Sequence, residues 1–228
     1  GSGFLGATHA PLVVNDPSKG VENLKPLVAN NQFNRRLGLF EEMEAAFLKD
    51  YNAISSSDHR TTYRRAVEMI RSKEAQAFDL SKESAETKAK YGSGRFAQGC
   101  LLARRLVEAG VAFVEVNLGG WDTHENNFNC LKDKLLPEFD RPYSTLLADL
   151  HERGMLDETL VIWGGEFGRL PLVQKGGTGT DIAWGPIGLK VGTLAGSGNN
   201  AWVLKEGYGL GGTGDWTKKR HFGVYATI

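Results

Sequence analysis

The 228-residue chain is short of the features that would name a partner. Lys plus Arg and Asp plus Glu both number 27, so neither sign of charge prevails. Phosphate-backbone binding leaves a basic excess, so no nucleic acid and no acidic membrane is expected as a partner. No apolar run approaches the ~20 residues needed to span a bilayer. Two cysteines, Cys100 and Cys130, cannot make a disulfide framework and are not spaced as a zinc ribbon. Both fall in helix-like patterns and read as buried thiols. The opening "GSGFLGATHAPLVV" has neither the basic start nor the apolar core of a signal peptide. The G-x-S-x-G elbow of serine hydrolases is absent. "GTGTDIAWG" has glycines but not the lysine of a phosphate loop.

What is present is an ordinary globular composition, 41% hydrophobic and 24% charged, with length enough to bury a core. Residues 1–30 hold Pro11, Pro17 and Pro26 and read as an irregular arm. From Asn34 a helical stripe runs through Leu37, Phe40, Ala46, Phe47 and Tyr51. Ser55–Asp58 offer capping oxygens for a second helix through Tyr63, Val67, Ile70 and Phe78. A short polar helix ending at Gly92 is predicted next. A stronger one over about 95–109 follows, with Phe96, Cys100, Ala103, Leu106 and Val107 on its stripe and Gly110 as its stop.

The period then changes. "VAFVEVNL" (Val111–Leu118) reads as a buried strand ended by Gly119–Gly120. A long helical tract runs to about His151, and Pro137 and Pro142 predict a kink or two consecutive helices. A second apolar strand, Thr159–Trp163, is ended by Gly164–Gly165. Strand, helix, strand is a βαβ unit, so the fold class is α/β with a mostly helical N-terminal part. The last 54 residues hold 14 of the 29 glycines and no lasting helical period, which sets 175–228 apart from 1–174 as an irregular, Gly-rich tail. Short strands there are predicted at "AWVL" and "HFGVYATI".

Parallel strands end on one edge of a sheet, where ligands of open α/β sheets gather. The loop after the first strand carries Asp122 and His124; the loop after the second carries Glu166 and Arg169. Strand ends lie ~5 Å apart if the strands are neighbours and about twice that with one strand between. Asp, His and Glu are ligands for zinc and other divalent metals. With Arg nearby they suit a phosphoryl or sulfuryl group. The plainer alternative is that Asp122 or Thr123 caps the next helix, His124 sits on its first turn, and Glu166 pairs with Arg169. His9, His59, His151 and His221 lack partners by sequence and read as surface or structural.

Several long stretches in order, "GFLGATHAPLVV", "AFDLSKE", "GRFAQGCLLARRLVEAGVAFVEV", "GGWDTHENNF" and "LLADLHERGMLDETLVIWGGEFGR", resemble the bacterial domain-of-unknown-function 1501 family. This is a set of sulfatase-like proteins related to the alkaline phosphatase superfamily. The resemblance runs from about residue 3 to about residue 175. It implies an alkaline-phosphatase-like fold, in which a partial parallel sheet is flanked by helices. It also implies a divalent-metal centre (zinc, calcium or manganese), a small anionic ester substrate and export in the full-length protein. The family's Trp-Asp-Thr-His motif falls on Trp121, Asp122, Thr123 and His124, and its Gly-Glu-Phe-Gly-Arg motif on Gly165, Glu166, Phe167, Gly168 and Arg169. Asp122, His124 and Glu166 are then metal ligands, and Arg169 binds substrate oxygens.

Three departures accompany the resemblance. Members are longer at the N-terminus, where the nucleophile loop lies, so this chain reads as a C-terminal half. The family's Gly-Arg-Asp-His-Trp motif is echoed only by Asp181 and Trp184, with Ile182 where histidine is expected. The tail beyond Lys175 differs from the family, as a shifted reading frame would produce. The reading is therefore a metal-dependent hydrolase fragment without turnover of its own. The alternative is an exported, non-catalytic binding or scaffold protein.

Overall fold

The computed structural model describes residues 5–51, 54–121, 123, 126–164 and 220–226. The chain divides into two compact units, Gly1–Asp79 and Leu80–Ile228.

In the first unit, helix α1 (Asn30–Asp50) and helix α2 (Ile54–Arg71) are followed by a 3-10 segment at Glu74–Phe78. α2 begins at Ile54, so Ser55–Asp58 lie within its first turns rather than ahead of it. The two helices meet through Phe40 stacked on Tyr63 at 4.2 Å and through Arg71 Nη2, which donates to Asn34 Oδ1 at 2.9 Å. Glu44 lies 3.6 Å from Arg60 and 3.9 Å from His59. Leu37 is the buried residue of α1, and it lines a groove of about 220 Å³ with Phe40, Tyr63 and Val67. The N-terminal arm is tied to α2 by Arg65, whose Nη1 donates to the carbonyls of Ala7 and Ala10. A turn at Asp16, where Ser18 donates twice to Oδ1, delivers Gly20 at φ 67°. A Cβ there would stand 2.9 Å from the Phe78 carbonyl oxygen, so only glycine fits.

The second unit holds the core. Ser84 caps helix α3 (Ala85–Tyr91) by accepting from the Thr87 N–H, and Gly92 ends it at φ 103°. Helix α4 (Arg95–Glu108) buries ten of its 14 residues, among them Phe96, Cys100, Leu101, Ala103, Leu106 and Val107. Gly110, at φ 99°, turns the chain into strand β1 (Phe113–Leu118). Helix α5 (Asn127–Cys130) runs through a π turn, Leu131–Leu135, into helix α6 (Leu136–Glu152). The irregularity therefore falls ahead of Pro137, while Pro142 sits buried inside α6. Strand β2 (Thr159–Gly164) and strand β3 (Arg220–Ala226) complete a parallel sheet in the order β1-β3-β2. α4 packs on α6 and on β1.

One expectation changes here, and the open alternative of neighbouring or separated strands is decided. β1 alternates: Val116 and Leu118 are buried, while Phe113, Glu115 and Asn117 are exposed. Its Val-Glu-Val-Asn-Leu pattern is the period-2 signature of a strand with one covered face, not of one buried on both. And β1 and β2 are not neighbours, because β3, from the Gly-rich tail, pairs with both.

A buried charge network joins α3, α4 and α6. Arg104 is 1% exposed. Its Nη1 donates to Glu108 at 2.8 Å; Nη2 lies 2.8 Å from Glu83 and Nε 3.0 Å from Asp149, as ion pairs whose N–H bonds are not aligned for hydrogen bonding. Tyr91 donates to Asp149, Arg105 pairs with Glu83, and Arg153 lies 2.6 Å from Asp149 and 3.4 Å from Glu108. Three guanidinium groups thus meet three carboxylates, which is how so buried an arginine is tolerated. Burial alone would raise the Glu83 carboxyl, but Arg104 and Arg105 outweigh it and hold it below its ordinary range.

Candidate functional site

The register of the sheet fixes where β1 and β2 end. Leu118, the last residue of β1, pairs with Ala226, and Gly164, the last of β2, pairs with Tyr225. Both strands therefore end on the same edge with one strand between them, about 10 Å apart at the usual strand spacing. In sequence, Asp122 and His124 follow the end of β1, and Glu166 and Arg169 follow the end of β2. Asp122, His124, Glu166 and Arg169 themselves lie outside the described residues, as do Asp181, Ile182 and Trp184. Among the described residues no group of three or more His, Cys, Asp and Glu side chains is arranged to hold a metal.

The described residues beside the two strand ends converge on one side chain. Trp121 stands edge-on to Phe139 of α6, ring centres 6.1 Å apart at 84°. Trp163, one residue before the end of β2, meets the same Phe139 at 5.0 Å. Phe139 is 4% exposed and is stacked on Tyr143 at 4.8 Å and on Phe96 of α4 at 5.8 Å. One phenyl ring on α6 therefore holds a tryptophan beside the end of each strand. Gly120, at φ 88°, lets the chain bend there, and a Cβ in its place would touch Leu135 of the π turn at 3.8 Å.

Thr123 does not cap the following helix. Its Oγ1 donates to Oδ1 of Asn127, which is 2% exposed, at 2.9 Å. The cap position belongs to Asn126, in left-handed conformation at φ 52° and without a side-chain cap bond. Thr123 is thus held by a buried side-chain amide.

The other candidates stay structural. Cys100 is fully buried, and burial pushes its thiol well above the ordinary range, so it is not a thiolate nucleophile. Burial, with Cys100 adjacent, raises Tyr143 as well. Cys130 is half-buried. His59 lies beside Glu44, and His151 occupies the last turn of α6, where positive charge suits the helix dipole.

Sequence reasoning missed Phe139 as the common partner of the two turns. The signal was there: a tryptophan flanks each Gly-Gly pair, in "GGWD" and "IWGGE". It missed Arg104 too, although Arg104 falls one turn after Cys100, within the apolar stripe of α4.

What these observations define is an α/β unit in which two strands end on one edge of a parallel sheet, each beside a tryptophan that rests on α6. The chain belongs to the DUF1501 family, described as a protein of unknown function, whose model matches residues 1–191. No curated protein and no solved structure matched it. No helix among the described residues is long and apolar enough to cross a membrane.

Proposed function

We propose that the edge bearing the two glycine turns is the metal-binding edge of an alkaline-phosphatase-like, sulfatase-like hydrolase that acts on phosphate or sulfate esters. Asp122, His124 and Glu166 are its metal ligands, and Arg169 holds or orients the anionic oxygens of the ester. The observation that supports this most is the shared anchor. Trp121 immediately precedes Asp122, Trp163 precedes Glu166 by three residues, and both rings rest on Phe139. Two oxygen donors and an imidazole form a set suited to zinc or manganese, and less to calcium, which favours oxygen alone. A bound divalent ion there supplies Lewis acidity and charge neutralisation. The guanidinium of Arg169 would add bidentate recognition of the planar oxygen pair.

Ile182, where the family motif calls for histidine, removes one donor. Little or no turnover by this chain alone follows, and the full-length protein is proposed to be exported. The same substitution favours the second reading, a binding or scaffold protein that keeps the fold without the chemistry. Metal content and metal-dependent melting of wild type, His124→Ala and Glu166→Ala separate the two. Bound metal lost in both variants supports the hydrolase lineage, and a wild-type protein that takes up no zinc or manganese supports the scaffold.

A further inference from the structure

Along α1 a row of large apolar side chains faces outward. Leu39, Met43 and Phe47 are 60%, 65% and 52% exposed, and Tyr51, just past the helix end, is 62% exposed and stacked on Phe47 at 4.8 Å. Their four-residue spacing makes one continuous ridge on the helix. The row is arranged symmetrically about Met43. Leu39 and Phe47 lie four residues to either side, and Arg36 and Asp50 lie seven to either side. Seven residues are close to two turns, so all five positions share one face. Arg36 and Asp50 are exposed, and neither has an ion-pair partner among the described residues.

A helix whose apolar centre is flanked by a cation at one end and an anion at the other is complementary to itself when reversed. Antiparallel packing across a two-fold axis through Met43 sets Leu39 against Phe47 of the partner helix. It also sets Arg36 against Asp50, twice. A parallel arrangement would instead oppose like charges. The isologous contact is closed, so it ends at two copies.

We infer that the α1 ridge is a self-association surface, its occupant the α1 helix of a second copy of this chain. One helix face is a small interface, near or below the ~1,200 Å² low end for specific complexes, so the dimer is reversible and concentration-dependent.

Sedimentation velocity on the full chain over about 2 to 200 μM, a span around micromolar affinity, tests it. The mass should move from 24.9 kDa toward twice that value as concentration rises. Met43→Glu places like charges on the axis and should weaken association by about tenfold or more. Arg36→Asp or Asp50→Arg alone should weaken it by a few-fold, and the two together should restore it because the pair is exchanged. All these positions are exposed, and circular dichroism of each variant checks that helix content is kept. A protein monomeric throughout, a dimer indifferent to Met43→Glu, or a double variant no stronger than the singles overturns the inference.

Discussion

The hairpin α1–α2 and the helix α4 are built from the same kind of residue and differ in what they bury. α1 has 21 residues and buries one of them; α4 has 14 and buries ten. Both have long apolar stripes. The stripe of α4 is covered by α6 and β1, whereas half of that on α1 faces outward. Amphipathicity thus specifies that a face will be covered, not by what. Most helical stability comes from tertiary packing of that face rather than from propensity. The second unit should therefore hold most of the chain's unfolding free energy. A convenient probe exists, because all five tryptophans lie in residues 80–228. Indole fluorescence follows the second unit, while far-ultraviolet circular dichroism follows both.

The largest effect is expected at Arg104. Arg104→Ala removes the buried cation that the half-buried Glu83 and Asp149 share, and breaking such a network typically costs about 3–5 kcal/mol. Urea unfolding followed by indole fluorescence should show that loss. A change under about 1 kcal/mol, typical of exposed pairs, would mean that water reaches the network and that the contrast between the units is overstated.

Phe139→Leu comes next. It removes the ring that Trp121 and Trp163 share, at about 1–2 kcal/mol for a partial core truncation. Its sharper readout is hydrogen exchange. Amides after β1 and after β2 should lose protection together, while those of α1 and α2 are unchanged. Loss at one turn only would show that the two turns are anchored independently.

Much of this organisation was legible beforehand, and the omissions share a cause. β1, β2, α3 and α4 are local patterns, ended by glycines whose positive φ the structure bears out at Gly92, Gly110 and Gly120. The position of β3 between β1 and β2 was not legible, because "HFGVYATI" identifies a strand but not its neighbours, and its partners lie more than 50 residues away in sequence. The one-sided burial of β1 was written in its alternation and was overridden by its high apolar content. Thr123 looked like a cap because caps are common at that spacing; its hydroxyl was instead taken by a side chain four residues on. Phe139 and Arg104 act through contacts between elements, which no single-element period displays. Of the candidate site, the edge and its two anchors are described; its charged residues rest on the motifs.

A smaller effect is expected from acid. The Glu83 carboxyl titrates below its ordinary value of 4.5 when folded, because Arg104 and Arg105 outweigh burial. Its contribution is fully present above about pH 4.5 and is lost as the pH falls through the folded pKa. The fluorescence-detected midpoint should therefore drop below pH 4.5 in wild type. In Glu83→Gln that part of the drop should be missing, with lower stability at neutral pH. An identical acid profile in both would place the sensitivity elsewhere in the second unit.

The smallest effect belongs to the exposed ridge, and it completes the contrast. Leu39→Ser removes a large apolar side chain, as Leu146→Ala does, yet the two should differ several-fold in cost. Leu146 is fully buried between packed elements, so truncation opens a cavity and loses about 2–5 kcal/mol. Leu39 is 60% exposed, so its replacement should stay within about 0.5 kcal/mol when measured at a concentration where the chain is monomeric. Circular dichroism is the detector here, since α1 contains no tryptophan. Repeating the measurement at high concentration adds the test of what covers the ridge. If a second copy does, Leu39→Ser becomes costly only there, because binding stabilises the folded state by mass action. A cost of 2 kcal/mol or more in the dilute monomer would mean that Leu39 is packed within one chain, and the two units would then be alike.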